Sequence, residues 1–519
     1  MPLQQCILNQ YRQSHERLFV NKPVDFTRIK AVGFDMDYTI INYTEAYEEL
    51  QYSLTVKNLI TKFNYPSRIQ EIIYDKLFGV KGLFLDTQLG NILKVDQFGY
   101  VQKVLHGKTK LNPQQFKQIY QDGTIPVYEL ENSSRFYLQS TAFAAPLITL
   151  YAELIEYFEN LQSISDPLNN SIKVKLSYNN TQNIPKNQLC YQNLFEDINQ
   201  AMGMIHGPKD ALKQLTQISP SLYVIKDDQM KSMLRNMRKS GKIVFLATNS
   251  GYEYTHTLLT YAIGQDYKEY FDYLIVDANK PDFFTKNIPF REVDDQGVKL
   301  LKQVTQLKKN KIYAMGNMNQ FCLQLGYRKK DILYVGDHII GDVNVSRNEQ
   351  SRTLFICPEI LQEIKIMQEN KGLYEQLGEL EKQRAQIQAE CCKDHKIVER
   401  PTSLIDVQNI IEQLNIKIDE KYNKYFGSAF TTSWGFTWLA SIMKDASDMY
   451  TWNCVNLIHY PPYYRFTVTM GRQLPHQDLF DKEIVKECVN NQISGIVSNV
   501  SYDQIILPDT QSANSDFCF

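Results

Sequence analysis

The stretch Ile29-Lys30-Ala31-Val32-Gly33-Phe34-Asp35-Met36-Asp37 decides the fold. A short apolar run that stops abruptly at carboxylates reads as a buried parallel strand delivering Asp35 and Asp37 at its carboxyl end. A helical pattern follows over about residues 45–63. Two later runs have the same form: Ile243-Val244-Phe245-Leu246-Ala247 delivers Thr248-Asn249-Ser250, and Ile332-Leu333-Tyr334-Val335 delivers Gly336-Asp337. Weaker strands are expected at 273–276 and 353–356. Strands alternating with helices predict an α/β protein with a doubly wound, Rossmann-like parallel sheet, whose site lies beyond the carboxyl ends of the strands.

About two hundred residues separate the first of these strands from the second, far more than a crossover helix needs, so an inserted cap domain is expected. The boundaries read as an N-terminal arm at 1–24, a discontinuous core at 25–50 and 215–358, a cap at 51–214, and a mainly helical C-terminal region at 359–519. Residues 163–188, rich in Asn, Ser, Gln and Lys, read as a surface loop or insertion. Leu373, Leu377, Leu380 and Ile387 recur at heptad-like spacing, as in a helix packing on the core or a short oligomer seam. Residues 426–466 carry Trp434, Trp438, Trp452 and Tyr460 with few cations between them, which suits a core or subunit interface better than a nucleic-acid platform.

The composition narrows the function classes. A chain of 519 residues should divide into two or three packed units. Lys+Arg 56 against Asp+Glu 58 leaves no electrostatic footprint for nucleic acid. Nine scattered cysteines give neither a disulfide framework nor a CxxC zinc site. Residues 136–155, the best apolar stretch, carry Gln139, Pro146 and Glu153, and the N-terminus has no basic segment leading into an apolar core. Neither a membrane span nor a signal peptide is therefore read, and a soluble, cytoplasmic protein is expected.

The chemistry gathers at the strand ends. Asp35 and Asp37, two residues apart, can face one cleft and share a divalent cation; alone, such a pair reads as a helix cap. Thr248-Asn249-Ser250 offers a hydroxyl, an amide and backbone N–H groups to phosphate oxygens, or else an ordinary N-cap. Lys280, in Asp277-Ala278-Asn279-Lys280-Pro281, can neutralise an acyl-phosphate, or sit in a solvated turn. Asp337 and Asp342, in Gly336-Asp337-His338-Ile339-Ile340-Gly341-Asp342, can complete a metal shell and anchor the loop or the lysine.

Taken in chain order, these four motifs resemble those of the haloacid dehalogenase superfamily. More narrowly they resemble the cytosolic purine 5′-nucleotidase family and its 5′-nucleotidase-domain relatives. The likeness extends through Gly82-Leu83-Phe84-Leu85-Asp86-Thr87, Gly90-Asn91-Ile92-Leu93-Lys94-Val95-Asp96, Phe283-Phe284, Tyr460-Pro461 and Pro475-His476, from about residue 25 to 478. It implies a haloacid-dehalogenase-like core and a magnesium-dependent 5′-nucleotidase. In that reading Asp35 is the nucleophile, Asp37 the general acid and base, and Thr248 and Lys280 stabilise the phosphoryl oxygens. Magnesium would be held by the Asp35 side chain, the Asp37 carbonyl and Asp337, with Asp342 behind them.

The cap is less uniform. The resemblance places a base-stacking aromatic at Phe143, which reads equally as a core residue, and substrate contacts at His206 and Lys213. Where purine-selective members carry an arginine and an aspartate, this chain has Asn199 and Gly203, so a base preference does not carry over. The resemblance implies a nucleoside monophosphate substrate, a homodimer or homotetramer, and a phosphotransferase side activity. The altered cap leaves open a catalytically weak nucleotide-binding or scaffold protein, or another phosphate ester as substrate.

Overall fold

Ala31-Val32-Gly33-Phe34 forms a central strand of the computed structural model, which describes residues 13–165, 189–207, 211–294, 296–393 and 401–468. The main sheet runs in the order Phe19–Val20, Met449–Thr451, Arg352–Ile356, Ile332–Gly336, Ala31–Phe34, Ile243–Ala247, Tyr273–Val276, Lys311–Met315, Phe290–Val293 and Lys299–Gln303. The strands from Met449–Thr451 to Lys311–Met315 are mutually parallel, and antiparallel partners close both edges. The expected doubly wound α/β core is therefore present, and its strands are the near-continuous apolar runs that a sheet buried on both faces requires.

Side chains alternate between two apolar layers. Val32, Phe34, Leu246 and Val335 pack with Met233, Leu234 and Leu258 on one face. Ala31, Phe245, Tyr273 and Tyr334 pack with Phe283, Phe284 and Phe321 on the other. Gly33 is the exception that permits the arrangement, because the Phe245 ring covers it: a Cβ there would lie 2.2 Å from Phe245 Cζ. Register fixes the site. Phe34 pairs with Leu246 on one side and Val335 on the other, so Asp35 emerges beside Ala247 and Gly336.

Between the first two core strands lies a five-stranded antiparallel sheet, ordered Thr109–Lys110, Val101–His106, Asn91–Val95, Phe84–Asp86, Phe136–Leu138. Leu85, Ile92 and Leu105 pack against helices Glu45–Lys62, Ala145–Ser165 and Tyr191–Gly203. Phe84, Leu93 and Val104 face Phe116, Tyr120 and Trp438. The C-terminal region also gives the core sheet a strand, Met449–Thr451, beyond the boundary expected at 358. Helix Lys371–Lys393, which carries the heptad-like leucines, packs against Thr402–Tyr422. Phe426, Trp438 and Tyr460 are buried as expected of the aromatic stretch, whereas Trp434 is exposed.

Residues 1–12, 166–188 and the chain beyond 468, including Pro475-His476, lie outside the described residues. Among the described residues no helix is long and apolar enough to cross a membrane. Because the space above Gly33 is filled by Phe245, Gly33→Ala is expected to lower stability by about 1–3 kcal/mol in denaturant unfolding. An unchanged midpoint would contradict this account of the central strands.

Candidate active site

The Lys280 ammonium lies 2.6 Å from Asp35 Oδ1 and 2.9 Å from Asp342 Oδ1, with all three side chains almost fully buried. Each comes from a different strand end. Asp35 follows Ala31–Phe34, Lys280 lies beyond Tyr273–Val276, and Asp342 sits in the helical turn Ile339–Asn344 after Ile332–Gly336. Lys280 also donates to the Tyr334 hydroxyl at 3.3 Å, which in turn donates to the Ala247 carbonyl at 3.0 Å. Its backbone is clamped by Asn249, whose Oδ1 accepts from Lys280 N at 2.6 Å and whose Nδ2 donates to Lys280 O at 3.1 Å. Asn249 thus holds the lysine instead of facing a ligand with its amide.

Thr248 is fully buried, and its Oγ1 accepts the Ser250 N–H at 3.0 Å. Asp35 Oδ1 accepts both Lys280 and the Met36 N–H, the latter at 2.7 Å, and among the described residues no donor reaches Oδ2. That oxygen is open to a ligand. Asp342 Oδ2 accepts the His338 N–H at 3.3 Å, and Gly336 makes room for it: a Cβ there would lie 2.7 Å from the carboxylate.

Asp37 lies just past the end of the strand that delivers Asp35. Alternation ends with the strand at Phe34, and the chain turns through Tyr38, whose φ is 54°. The Asp37 carboxylate accepts from the Tyr43 and Ser250 hydroxyls, Ser250 at 3.0 Å, and stands near enough to Asp35 to help raise its carboxyl.

Asp35, Asp337 and Asp342 each offer a carboxylate oxygen within 4.8 Å of the others. Asp337 Oδ2 is buried with no hydrogen-bond partner among the described residues. Burial pushes the Asp35 carboxyl up to about 7 against the pull of Lys280. It drives Asp337 well above the carboxylate range, with Asp35 and Asp342 adding to the effect. Burial works against the charge on Lys280, but the Asp342 and Asp35 carboxylates outweigh it and hold the lysine protonated. Behind Asp337, buried Lys81 is paired with Glu359 at 3.2 Å.

Three carboxylates against one ammonium, all ionised, leave the excess that a divalent cation neutralises. The orphaned Asp337 oxygen is a hard donor of the type magnesium takes. The residues fit the ion. Asp35 and Asp337 would hold it, with the Asp37 carbonyl, while Asp342 stays with Lys280.

Of the cap residues singled out in the sequence, Phe143 and His206 do meet, edge to face at 5.5 Å. Phe143 also packs edge-on against Tyr38 at 4.7 Å, which brings the pair next to the Asp37 turn. His206 Nε2 lies 3.3 Å from Gln51 Nε2. Lys213 does not reach the carboxylates; its ammonium lies 5.2 Å from the Tyr254 ring centroid. Asn199 is exposed, and a Cβ on Gly203 would meet nothing within 4 Å, so neither position replaces a missing anchor. Sequence reasoning missed Tyr43, Tyr254, Tyr334 and Lys81. Tyr334 is legible as an inward residue of a delivering strand; the others carry no local signal.

In the metal-free protein the raised Asp35 carboxyl binds protons more tightly folded than unfolded. Its contribution to stability therefore falls as pH rises from about 4 to about 7. Magnesium needs the ionised carboxylates, so the Tm increase it produces should be larger at pH 8 than at pH 5.5 and absent in Asp337→Asn. A pH-independent shift, or one retained by the variant, would contradict the carboxylate site.

The model of the 5′ nucleotidase family matches residues 18–478. A 5′-nucleotidase domain-containing protein of Dictyostelium discoideum is 27% identical over 472 residues, covering 89% of this chain and 74% of the relative. The human 5′-nucleotidase domain-containing protein 2 is 26% identical over 462 residues, covering 86% and 83%. A HAD phosphatase from Thermococcus onnurineus aligns at 14% identity with a TM-score of 0.26, covering 64% of this chain and 87% of its own. A magnesium-bound HAD-hydrolase from Bacillus subtilis aligns at 10% with a TM-score of 0.21, covering 64% and 90%. At such scores the family match, not the structural likeness, decides the assignment. The chain belongs to the 5′ nucleotidase family.

Proposed function

We propose that the protein is a magnesium-dependent phosphohydrolase that converts nucleoside 5′-monophosphates to nucleoside and phosphate through an aspartyl-phosphate on Asp35. The supporting observation is the buried Lys280 ammonium shared by Asp35 and Asp342, beside an Asp337 oxygen that has no protein partner. When bound, magnesium would neutralise charge on the phosphoryl oxygens and shield Asp35 from the incoming phosphate. Asp35 attacks phosphorus in line as the bond to the 5′-oxygen breaks, and Asp37 gives that oxygen its proton. Water then attacks the aspartyl-phosphate and gives its proton to Asp37. The Asp35–phosphorus bond breaks, and phosphate leaves.

Lys280 and the Thr248 turn stabilise the equatorial oxygens in both steps, since phosphoryl transfer is catalysed mainly by positioning and charge. A nucleoside hydroxyl taking the place of water would give phosphotransfer by the same residues. Phe143 and His206 form the aromatic edge on which a base would lie, and purine preference is not implied by any anchor at Asn199 or Gly203.

Phosphate release from a panel of nucleoside 5′-monophosphates should require magnesium and fall by at least about a thousandfold in Asp35→Asn. A folded, magnesium-binding protein that releases no phosphate from any of them would overturn the reading and favour a nucleotide-binding scaffold.

A further inference from the structure

Asp37 has two tasks at one place, giving a proton to the leaving oxygen and then taking one from water, and each requires a fixed carboxylate. The backbone, past the end of the strand and bridged to Ile41, places Asp37 but leaves its carboxylate to be oriented by side chains. Two hydroxyls orient it. Ser250 Oγ donates to Oδ2 at 3.0 Å, and the Tyr43 hydroxyl donates to Oδ1.

Ser250 belongs to a turn already attributed to phosphate binding, but Tyr43 has no other task in the site. Its ring is buried and stacked on Tyr47 at 4.0 Å and 19°, with the Tyr38 ring edge-on at 5.1 Å. The short strand Asn42–Tyr43 is pinned by pairing with Val224–Ile225. Tyr43 spends its single proton on Asp37, so the Tyr254 hydroxyl at 3.0 Å must donate to Tyr43. Two buried phenols, Tyr254 and then Tyr43, thus lead to the Asp37 carboxylate. Phe143 of the cap lies 6.4 Å from the Tyr43 ring and 6.5 Å from the Tyr47 ring, so the same aromatic cluster borders the base-binding edge.

We infer that Tyr43 is a positioning residue for the hydrolysis, fixing the Asp37 carboxylate for proton transfer to the leaving oxygen, with Tyr254 holding the Tyr43 hydroxyl. The inference rests on the proposed phosphohydrolase reading. Positioning by a phenol acts on proton transfer and not on substrate affinity, which separates it from a packing role.

The test compares a nucleoside 5′-monophosphate with its analogue carrying sulfur in place of the bridging 5′-oxygen, whose thiolate leaves with far less need of a proton. In Tyr43→Phe, kcat/KM, which covers only the steps through departure of the leaving group, should fall by roughly ten- to a hundredfold on the oxygen ester and far less on the sulfur ester. Tyr254→Phe should show the same pattern with a smaller loss, in a protein whose Tm shows it folded. Equal losses on both esters, or no loss on the oxygen ester, would overturn the role of Tyr43. If the wild-type protein hydrolyses neither ester, the proposed function fails, and the inference fails with it.

Discussion

The interaction on which the rest of the structure depends is one ammonium shared by two buried carboxylates. Lys280 reaches Asp35 and Asp342 at 2.6 and 2.9 Å, where none of the three has appreciable access to water. Removing charged groups from water is costly, and removing one member of such a set leaves an uncompensated charge behind. Much of the neighbourhood is arranged to keep Lys280 in place. Asn249 clamps its backbone, the Tyr334 hydroxyl accepts from its ammonium, and Gly336 leaves room for the Asp342 carboxylate. None of this works unless three parallel strands end at the same level, which the register about Ala31–Phe34 provides. Gly33 under Phe245 is the packing condition for that register.

The same cluster is built to be incomplete. One ammonium does not balance three carboxylates, and the buried Asp337 oxygen has no donor among the described residues. A polar atom in that condition costs free energy unless something else binds it. The protein therefore carries a local instability at the position where a cation and a phosphate dianion would meet. The cap adds an aromatic edge, Phe143 with His206, directly against Tyr38, the residue after the second motif aspartate. In the proposed function, the residues of chemistry and of base recognition thus adjoin in space.

The core was legible because its signals are local. An apolar run ending at Asp35, Ala247 or Gly336 marks a buried strand without reference to any partner. The strands Phe290–Val293, Lys299–Gln303 and Lys311–Met315 toward one end of the sheet gave no such signal, since lysines and an arginine break up their apolar runs. Met449–Thr451 was hidden for another reason: three residues are too few to show a period, and their strand character comes from pairing with Arg352–Ile356. In the site, Asp35, Lys280, Asp337 and Asp342 came together as their motifs suggested. Asp37 stands beside them, held by the Tyr43 and Ser250 hydroxyls. Tyr43 and Tyr254 are 211 residues apart in sequence, and only the pairing of Asn42–Tyr43 with Val224–Ile225 and the fold behind it makes them neighbours.

The central claim is that Asp35 becomes covalently phosphorylated. The most direct measurement is to quench the protein in acid during turnover of a nucleoside 5′-monophosphate, reduce it with borohydride and map the peptides. An aspartyl-phosphate at Asp35 is reduced to homoserine, so the account predicts homoserine at position 35, dependent on substrate and magnesium. Turnover that leaves Asp35 unreduced, or that marks another residue, would contradict it.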